Sequence, residues 1–173
     1  MGYRDGEEAS MSDPRVVYYE SPIGLLEVRG GEAGVTAVNF VESRDPAAGR
    51  RGEAALPPPL SDCLVQLDEY FRGARRAFSV KLDLRGTDFQ RKVWKALRSV
   101  AFGRTVTYRE LARTVGCPAG TRAVGGANHR NPVSIIVPCH RVVGSDGGLT
   151  GYGGGLWRKD WLLRHEGGGL IPS

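Results

Sequence analysis

Pro138, Cys139, His140 and Arg141 stand in a row, a thiol beside an imidazole and a guanidinium, which are the residue types from which a sulfur nucleophile is built. A free thiol near its ordinary pKa of ~8.5 is only slightly ionised at neutral pH, so a reactive one needs a base and positive surroundings. His140 and Arg141 are candidates for those two roles. Side chains adjacent in sequence often point apart, so a bridging water suits Cys139 and His140 better than direct contact. The residues alone leave a second reading open, in which Cys139 is a small buried hydrophobe and His140 a structural histidine. Cys63 and Cys117 have no such neighbours. Three cysteines, far apart and without a Cys-x-x-Cys pair, form neither a disulfide framework nor a zinc site.

The elements that must position this thiol change character along the chain. Up to about Pro14 the sequence reads as an exposed tail. Val16 to Tyr19, Gly24 to Val28 and Val35 to Val41 are strand-like runs separated by Pro and Gly signals, predicting a small β-meander. Ser43 to Pro59, rich in Pro, Ala, Gly and Arg, reads as a loop. A helix follows with Ser61 as its cap, Leu64, Leu67, Tyr70 and Phe71 on one face and Gly73 at its end. Val80 to Leu84 is a candidate fourth strand.

From Thr87 the periodicity is helical. Thr87 with Gln90 forms a capping box ahead of Phe89, Val93, Trp94, Leu97 and Val100, with Gly103 as the stop. A second box, Thr107 with Glu110, opens a short helix ended by Gly116, and Pro118 suits the first turn of another that runs to about Asn128. Two helices so closely joined predict a helix-turn-helix. The second is nearly bare: Ala119, Gly120, Ala123, Gly125, Gly126 and Ala127 leave Arg122 as the long side chain of its first half. Such a face cannot read base edges in a major groove. It allows close approach, either to a neighbouring helix or to the minor groove of a duplex, where one inserted side chain can open the stack. After the Asn131-Pro132 turn, Ser134 to Val137 form a buried apolar run that leads into Cys139.

A chain of 173 residues, 40% hydrophobic and 25% charged, can bury a core in one domain or two small ones. Its formal charge of +5 is unevenly spread. Residues 1–84 hold 10 basic and 14 acidic side chains, and residues 85–173 hold 14 and 5. A basic half of this size is either a solvated face or the footprint of a polyanion. The absence of a long apolar run or an apolar N-terminus predicts a cytoplasmic protein with no membrane partner.

The segments TVTYRELARTVG, RAVGGANHRNP, IIVPCHRVVG and GYGGGLWRKDWLLRHE, taken in order, resemble the O6-alkylguanine-DNA alkyltransferases of the stand-alone type, over about Gly86 to Glu166. The N-terminal half is similar to theirs in layout and length. The resemblance implies a direct-reversal repair enzyme, a methylated-DNA-protein-cysteine methyltransferase working as a monomer without cofactor or metal. It would flip O6-alkylguanine, and also O4-alkylthymine, out of double-stranded DNA and move the alkyl group irreversibly to Cys139. His140 would accept the thiol proton through water, Glu166 would orient His140, and Asn131 would tie the recognition helix to the cysteine turn. Tyr108 would crowd the target nucleotide and bond the flipped base, Arg122 would fill the vacated stack, and Arg109 and Ser145 would contact phosphates. Backbone around Val142 and the loop from Tyr152 to Gly155 would line the base pocket, with Gly153 where many relatives carry serine.

The resemblance also implies an α+β or α/β architecture. Residues 15–84 would be a ribonuclease H-like supporting domain with a short antiparallel sheet. Residues 85–166 would be a mostly helical, winged-helix-like DNA-binding domain, between tails at 1–14 and 167–173. Two other classes remain for comparison. A lesion-binding module of this kind carries tryptophan in place of the cysteine. A cysteine hydrolase passes through a thioester that water cleaves, whereas an S-alkyl thioether persists.

Overall fold

Alternating apolar residues on the first three runs, such as Leu26 and Val28, need one covered face, and the chain supplies it with an antiparallel meander backed by a helix. The computed structural model describes residues 14–46, 48 and 55–167. Strands β1 (Arg15–Ser21), β2 (Gly24–Gly31) and β3 (Gly34–Val41) lie in sequence order. Val17 pairs with Val28, Leu26 with Phe40 and Val28 with Val38, and the β2–β3 register shifts between Arg29 and Gly30. Helix α1 (Pro58–Phe71) packs Leu60, Cys63, Leu67 and Tyr70, all buried, against this sheet.

The meander is one edge strand richer in partners than its sequence suggests. Along its open edge β3 first meets Leu82, through Val35 N–H to the Lys81 carbonyl at 2.8 Å and Asp83 N–H to the Val35 carbonyl at 2.9 Å. It then meets Val133, through Val38 N–H to the Pro132 carbonyl and Ser134 N–H to the Val38 carbonyl, both 2.9 Å. The candidate strand Val80 to Leu84 is thus a single bridge, because β3 gives up the rest of its edge to the segment that precedes Cys139. These bonds leave fewer unpaired groups on the edge and join the two halves of the chain.

The second half is built of helices α2 (Asp88–Leu97), α3 (Tyr108–Thr114), α4 (Thr121–His129) and α5 (Leu156–His165), with a two-residue parallel pair, β4 (Val106–Thr107) and β5 (Val142–Val143). Both capping boxes form: the Thr87 and Thr107 side chains accept from Gln90 and Glu110 N–H, and those side chains accept in return from the capping backbone. Trp94, 2% exposed, lies between α2 and α4 and donates from its indole N–H to the Ala127 carbonyl at 2.8 Å. The mixed architecture, with a small antiparallel N-terminal sheet and a helical second half holding a helix-turn-helix, is the one expected.

Local boundaries differ in three places. Helix α1 starts at Pro58 inside the expected loop, and Ser61 is within it, its hydroxyl bonded to the Pro58 carbonyl at 3.1 Å. Burial of Pro59 and Leu60 draws the first turn into the helix, and prolines are suited to that turn. Helix α2 stops at Leu97, where Ser99 N–H to Ala96 and Val100 N–H to Leu97 tighten the chain into i to i+3 turns, so Gly103 is not its terminator. Helix α4 starts at Thr121 because Gly120 N–H closes a turn on the Cys117 carbonyl at 2.8 Å, with Pro118 at the second position of that turn, where its fixed φ fits. The expected tails at 1–14 and 167–173 fall almost wholly outside the described residues.

Thr107→Ala removes the capping acceptor of α3, the helix that leads into the turn. It is expected to cost about 1 kcal/mol, read as a lower urea midpoint with an unchanged slope.

Candidate active site

Cys139 opens a single 3-10 turn, Cys139–Arg141, that follows Pro138 and leads directly into β5. The turn is aimed by Asn131, whose side chain bridges it to the end of α4: Nδ2 donates to the Val137 carbonyl at 2.7 Å and to Cys139 Sγ at 3.1 Å, while Oδ1 accepts from Val133 N–H at 3.0 Å. Between these anchors Ile135 has φ 73°, a left-handed conformation costly for a β-branched residue. The strained loop is held from both ends.

The side chains of Cys139 and His140 diverge, as adjacent residues do. Cys139 Sγ faces a cavity of ≈ 150 Å³ lined also by Asn39, Phe40, Asn128, His129, Asn131, Ser134 and Gly151 to Gly154 with Tyr152. His140 is wholly buried, with Nε2 2.8 Å from Glu166 Oε1. The Glu166 carboxylate takes four more donors: Tyr70 OH at 2.7 Å, Arg141 Nε at 2.8 Å and Nη2 at 2.9 Å, and Gly103 N–H at 3.3 Å. Gly103 therefore has a purpose other than stopping a helix. Its φ is 73° and a Cβ there would lie 2.8 Å from the Glu166 carbonyl oxygen, so only glycine admits this approach.

Electrostatics follow from burial and these partners. Burial pushes the Glu166 carboxyl up, but the His140 and Arg141 contacts outweigh it and hold it well below the usual carboxylate range. Burial pushes His140 down, with Arg141 and Lys159 adding to that and Glu166 opposing it, so the neutral imidazole is favoured. A neutral ring that donates from Nε2 to Glu166 keeps Nδ1 as an acceptor, and Nδ1 is buried with no hydrogen bond from the described residues. Burial raises the Cys139 thiol above its ordinary value, while the Asn131 bond, Lys159 and the amides of Cys139 and His140 pull it down.

Lys159 was not among the expected site residues. It is fully buried on α5, its Nζ donates to the Thr150 carbonyl at 2.7 Å, and desolvation lowers its pKa to about 8. Its spacing to Leu162 and Leu163, the other buried residues of α5, is the signal that a 3.6-residue period offers.

Of the expected residues, Cys139, Asn131, Tyr152 and Gly153 meet at the cavity, and His140 and Glu166 lie behind it. Val142 is buried in β5, paired with Val106, and is not on the cavity wall. Tyr108, also off that wall, is half-buried at the start of α3, its ring 3.9 Å from where a Cβ of Gly125 would stand. Arg109, Arg122 and Ser145 are exposed. Asn39, Phe40, Asn128, His129 and Ser134 complete the cavity without having been expected there. The pairing of β3 with Val133 that delivers Asn39 and Phe40 spans nearly a hundred residues and has no local signature.

Comparison with known proteins follows the same division. Residues 88–168 match the DNA-binding domain of the 6-O-methylguanine DNA methyltransferases, and residues 15–84 match their ribonuclease-like domain. The chain belongs to this family. It is 46% identical over 148 residues to the methylated-DNA-protein-cysteine methyltransferase of Mycolicibacterium paratuberculosis, covering 85% of this chain and 88% of that one. To the enzyme of the same name from Methanosarcina acetivorans it is 44% identical, covering 86% and 96%. The crystal structure of Mycobacterium tuberculosis O6-methylguanine methyltransferase superposes with a TM-score of 0.78 at 44% identity, covering 93% of this chain and 96% of that one. The Mycobacterium tuberculosis protein in complex with DNA gives a TM-score of 0.75 at 43% identity, covering 91% and 95%.

The lowered Glu166 and His140 values carry a pH signature. A depressed carboxylate stabilises the fold above its unfolded pKa of ~4.3 and loses that stability as pH falls through its folded value. A depressed histidine binds its proton more readily when unfolded, so stability also declines below about pH 6.5. The urea midpoint is expected to fall in two stages between pH 7 and pH 3, with Glu166→Gln removing the lower stage. A flat profile in the unaltered protein would contradict the assignment.

Proposed function

We propose that this protein repairs O6-alkylguanine in double-stranded DNA by moving the alkyl group to Cys139, in one irreversible turnover per chain. The observation that carries the reading is a thiol at a cavity wall, followed by a neutral histidine whose Nε2 is engaged by Glu166 and whose Nδ1 is left to accept. The thiol proton passes through a water to His140 Nδ1. The sulfur attacks the alkyl carbon, the S–C bond forms as the O6–C bond breaks, and the electron pair stays on the guanine oxygen; the proton taken up by His140 returns through water to the guanine, which leaves both base and imidazole neutral. The resulting thioether offers no leaving group to water, so Cys139 is not regenerated.

Buried as it is, Cys139 cannot reach a base inside the duplex, which supports extrusion of the target nucleotide. In this reading α4 lies along the minor groove, its Gly and Ala face admitting the backbone, and exposed Arg122 fills the gap. Tyr108 crowds the target phosphate and bonds the flipped base, while Arg109 and Ser145 contact phosphates. Arg109 and Arg122 form no ion pair among the described residues, which leaves both charges for a polyanion. Residues 85–166 are the DNA-binding and transfer domain, and residues 15–84 support it. O4-alkylthymine presents the same kind of alkylated oxygen and is a second substrate. The relative crystallised with DNA is consistent with a DNA partner.

Intact mass after mixing with a duplex containing O6-methylguanine is expected to rise by one methyl per chain, and not at all in Cys139→Ala. Repeated turnover, or a methyl on Cys63 or Cys117, would refute the reading. Arg122→Ala is expected to slow transfer from duplex about tenfold or more relative to transfer from free O6-benzylguanine, because only the duplex substrate needs extrusion. Equal losses would remove Arg122 from that role.

A further inference from the structure

The cavity at Cys139 has one wall that comes from the other half of the chain. Asn39 and Phe40, near the end of β3, line it together with Tyr152 and the glycines of the loop before α5. Gly151, Gly153 and Gly154 have no side chain with which to set a width, so the ring-bearing residues of the wall are Phe40, His129 and Tyr152, and of these Phe40 alone comes from the other half. Phe40 and Tyr152 both press on Gly154. A Cβ there would stand 2.8 Å from Phe40 Cδ2 and 2.8 Å from Tyr152 Cε1, closer than carbon atoms approach.

Phe40 is held in place from three directions. Its strand is fixed to residues 132–134 by the two backbone bonds at Val38. Opposite it in the sheet is buried Leu26. The guanidinium of Arg158 lies 4.5 Å from its ring centroid and is itself anchored, Nε to the Ile23 carbonyl and Nη1 to the Gly154 carbonyl, both at 2.7 Å. Arg158 also lies 4.6 Å from the Trp157 ring. A ring fixed against a cation in this way resists rotation away from the cavity.

We propose that Phe40 determines specificity: its ring is the wall that limits the size of the group Cys139 accepts, so the N-terminal half takes part in substrate selection. The inference rests on the alkyl-transfer reading and concerns the bulk of the alkyl group, not the chemistry of transfer. Apolar walls discriminate modestly, by tenfold and upward for a carbon or two of bulk.

The test uses the full chain with free O6-methylguanine and free O6-benzylguanine, following the mass of the protein. Phe40→Ala is expected to raise the ratio of benzyl to methyl transfer rates by about tenfold, and Phe40→Trp to lower it by a similar factor. A ratio taken on one sample is insensitive to a fraction of unfolded protein, and either variant suffices if the other does not fold. An unchanged ratio in a folded variant would overturn the proposal while leaving alkyl transfer intact. Transfer of neither group by the unaltered protein would overturn this proposal, and no transfer from the methylated duplex either would overturn the alkyl-transfer reading with it.

Discussion

The buried carboxylate of Glu166 is the constraint around which the rest of the molecule is arranged. An isolated carboxylate in a protein interior would protonate or drag the fold open. Here five hydrogen bonds keep it charged, and their donors come from α1, from the loop before β4 and from the cysteine turn. Losing one partner of such a buried pair costs about 3–5 kcal/mol. Arg141 gives two of the five bonds, and its guanidinium also reaches the Val100 carbonyl at 2.5 Å. The histidine therefore has a fixed ring orientation and a fixed tautomer. That orientation is imposed by elements that lie far from Cys139 in sequence.

The thiol itself sits in a balance. Burial alone would make Cys139 as inert as Cys63, whose pKa desolvation pushes up to about 12. What separates the two is a short set of polar groups: the Asn131 amide, the buried ammonium of Lys159 and the amides that open the 3-10 turn. Lys159 is costly to bury, and its bond to the Thr150 carbonyl draws the glycine-rich loop toward the sulfur. The loop that lines the cavity is thus tied at Thr150 to the charge that tunes the nucleophile, as it is tied at Gly154 to Arg158.

Local chemistry was legible in the sequence, and long-range delivery was not. The boxes at Thr87 and Thr107 could be read because both partners lie within one helical turn. The stops at Gly73 and Gly116 are equally local. Ser61 misled because the start of α1 is decided by burial of Pro59 and Leu60 against the sheet, a tertiary term that overrides a capping preference. Gly103 misled for a similar reason: a positive-φ glycine signals a left-handed residue, and the sequence does not say whether a helix end or a close approach to Glu166 requires it. Cys139, His140 and Glu166 were legible through motifs and family resemblance. Asn39 and Phe40 were not, since a strand edge carries no mark of what will pair with it.

The hairpin of β2 and β3 divides into two regions that differ in how freely they can vary. At its far end Gly31 to Gly34 form a tight turn, and the register shift between Arg29 and Gly30 shows that the pairing there already absorbs an irregularity. Nearer the site the side chains alternate, so one residue added or lost between Val35 and Phe40 would turn Asn39 and Phe40 each to the face it does not now occupy. Length changes that evolution or engineering makes in this hairpin are therefore tolerable at the turn. Beyond Val35 they would carry the Phe40 ring away from the cavity and shift the Val38 backbone bonds that hold residues 132–134 ahead of Cys139.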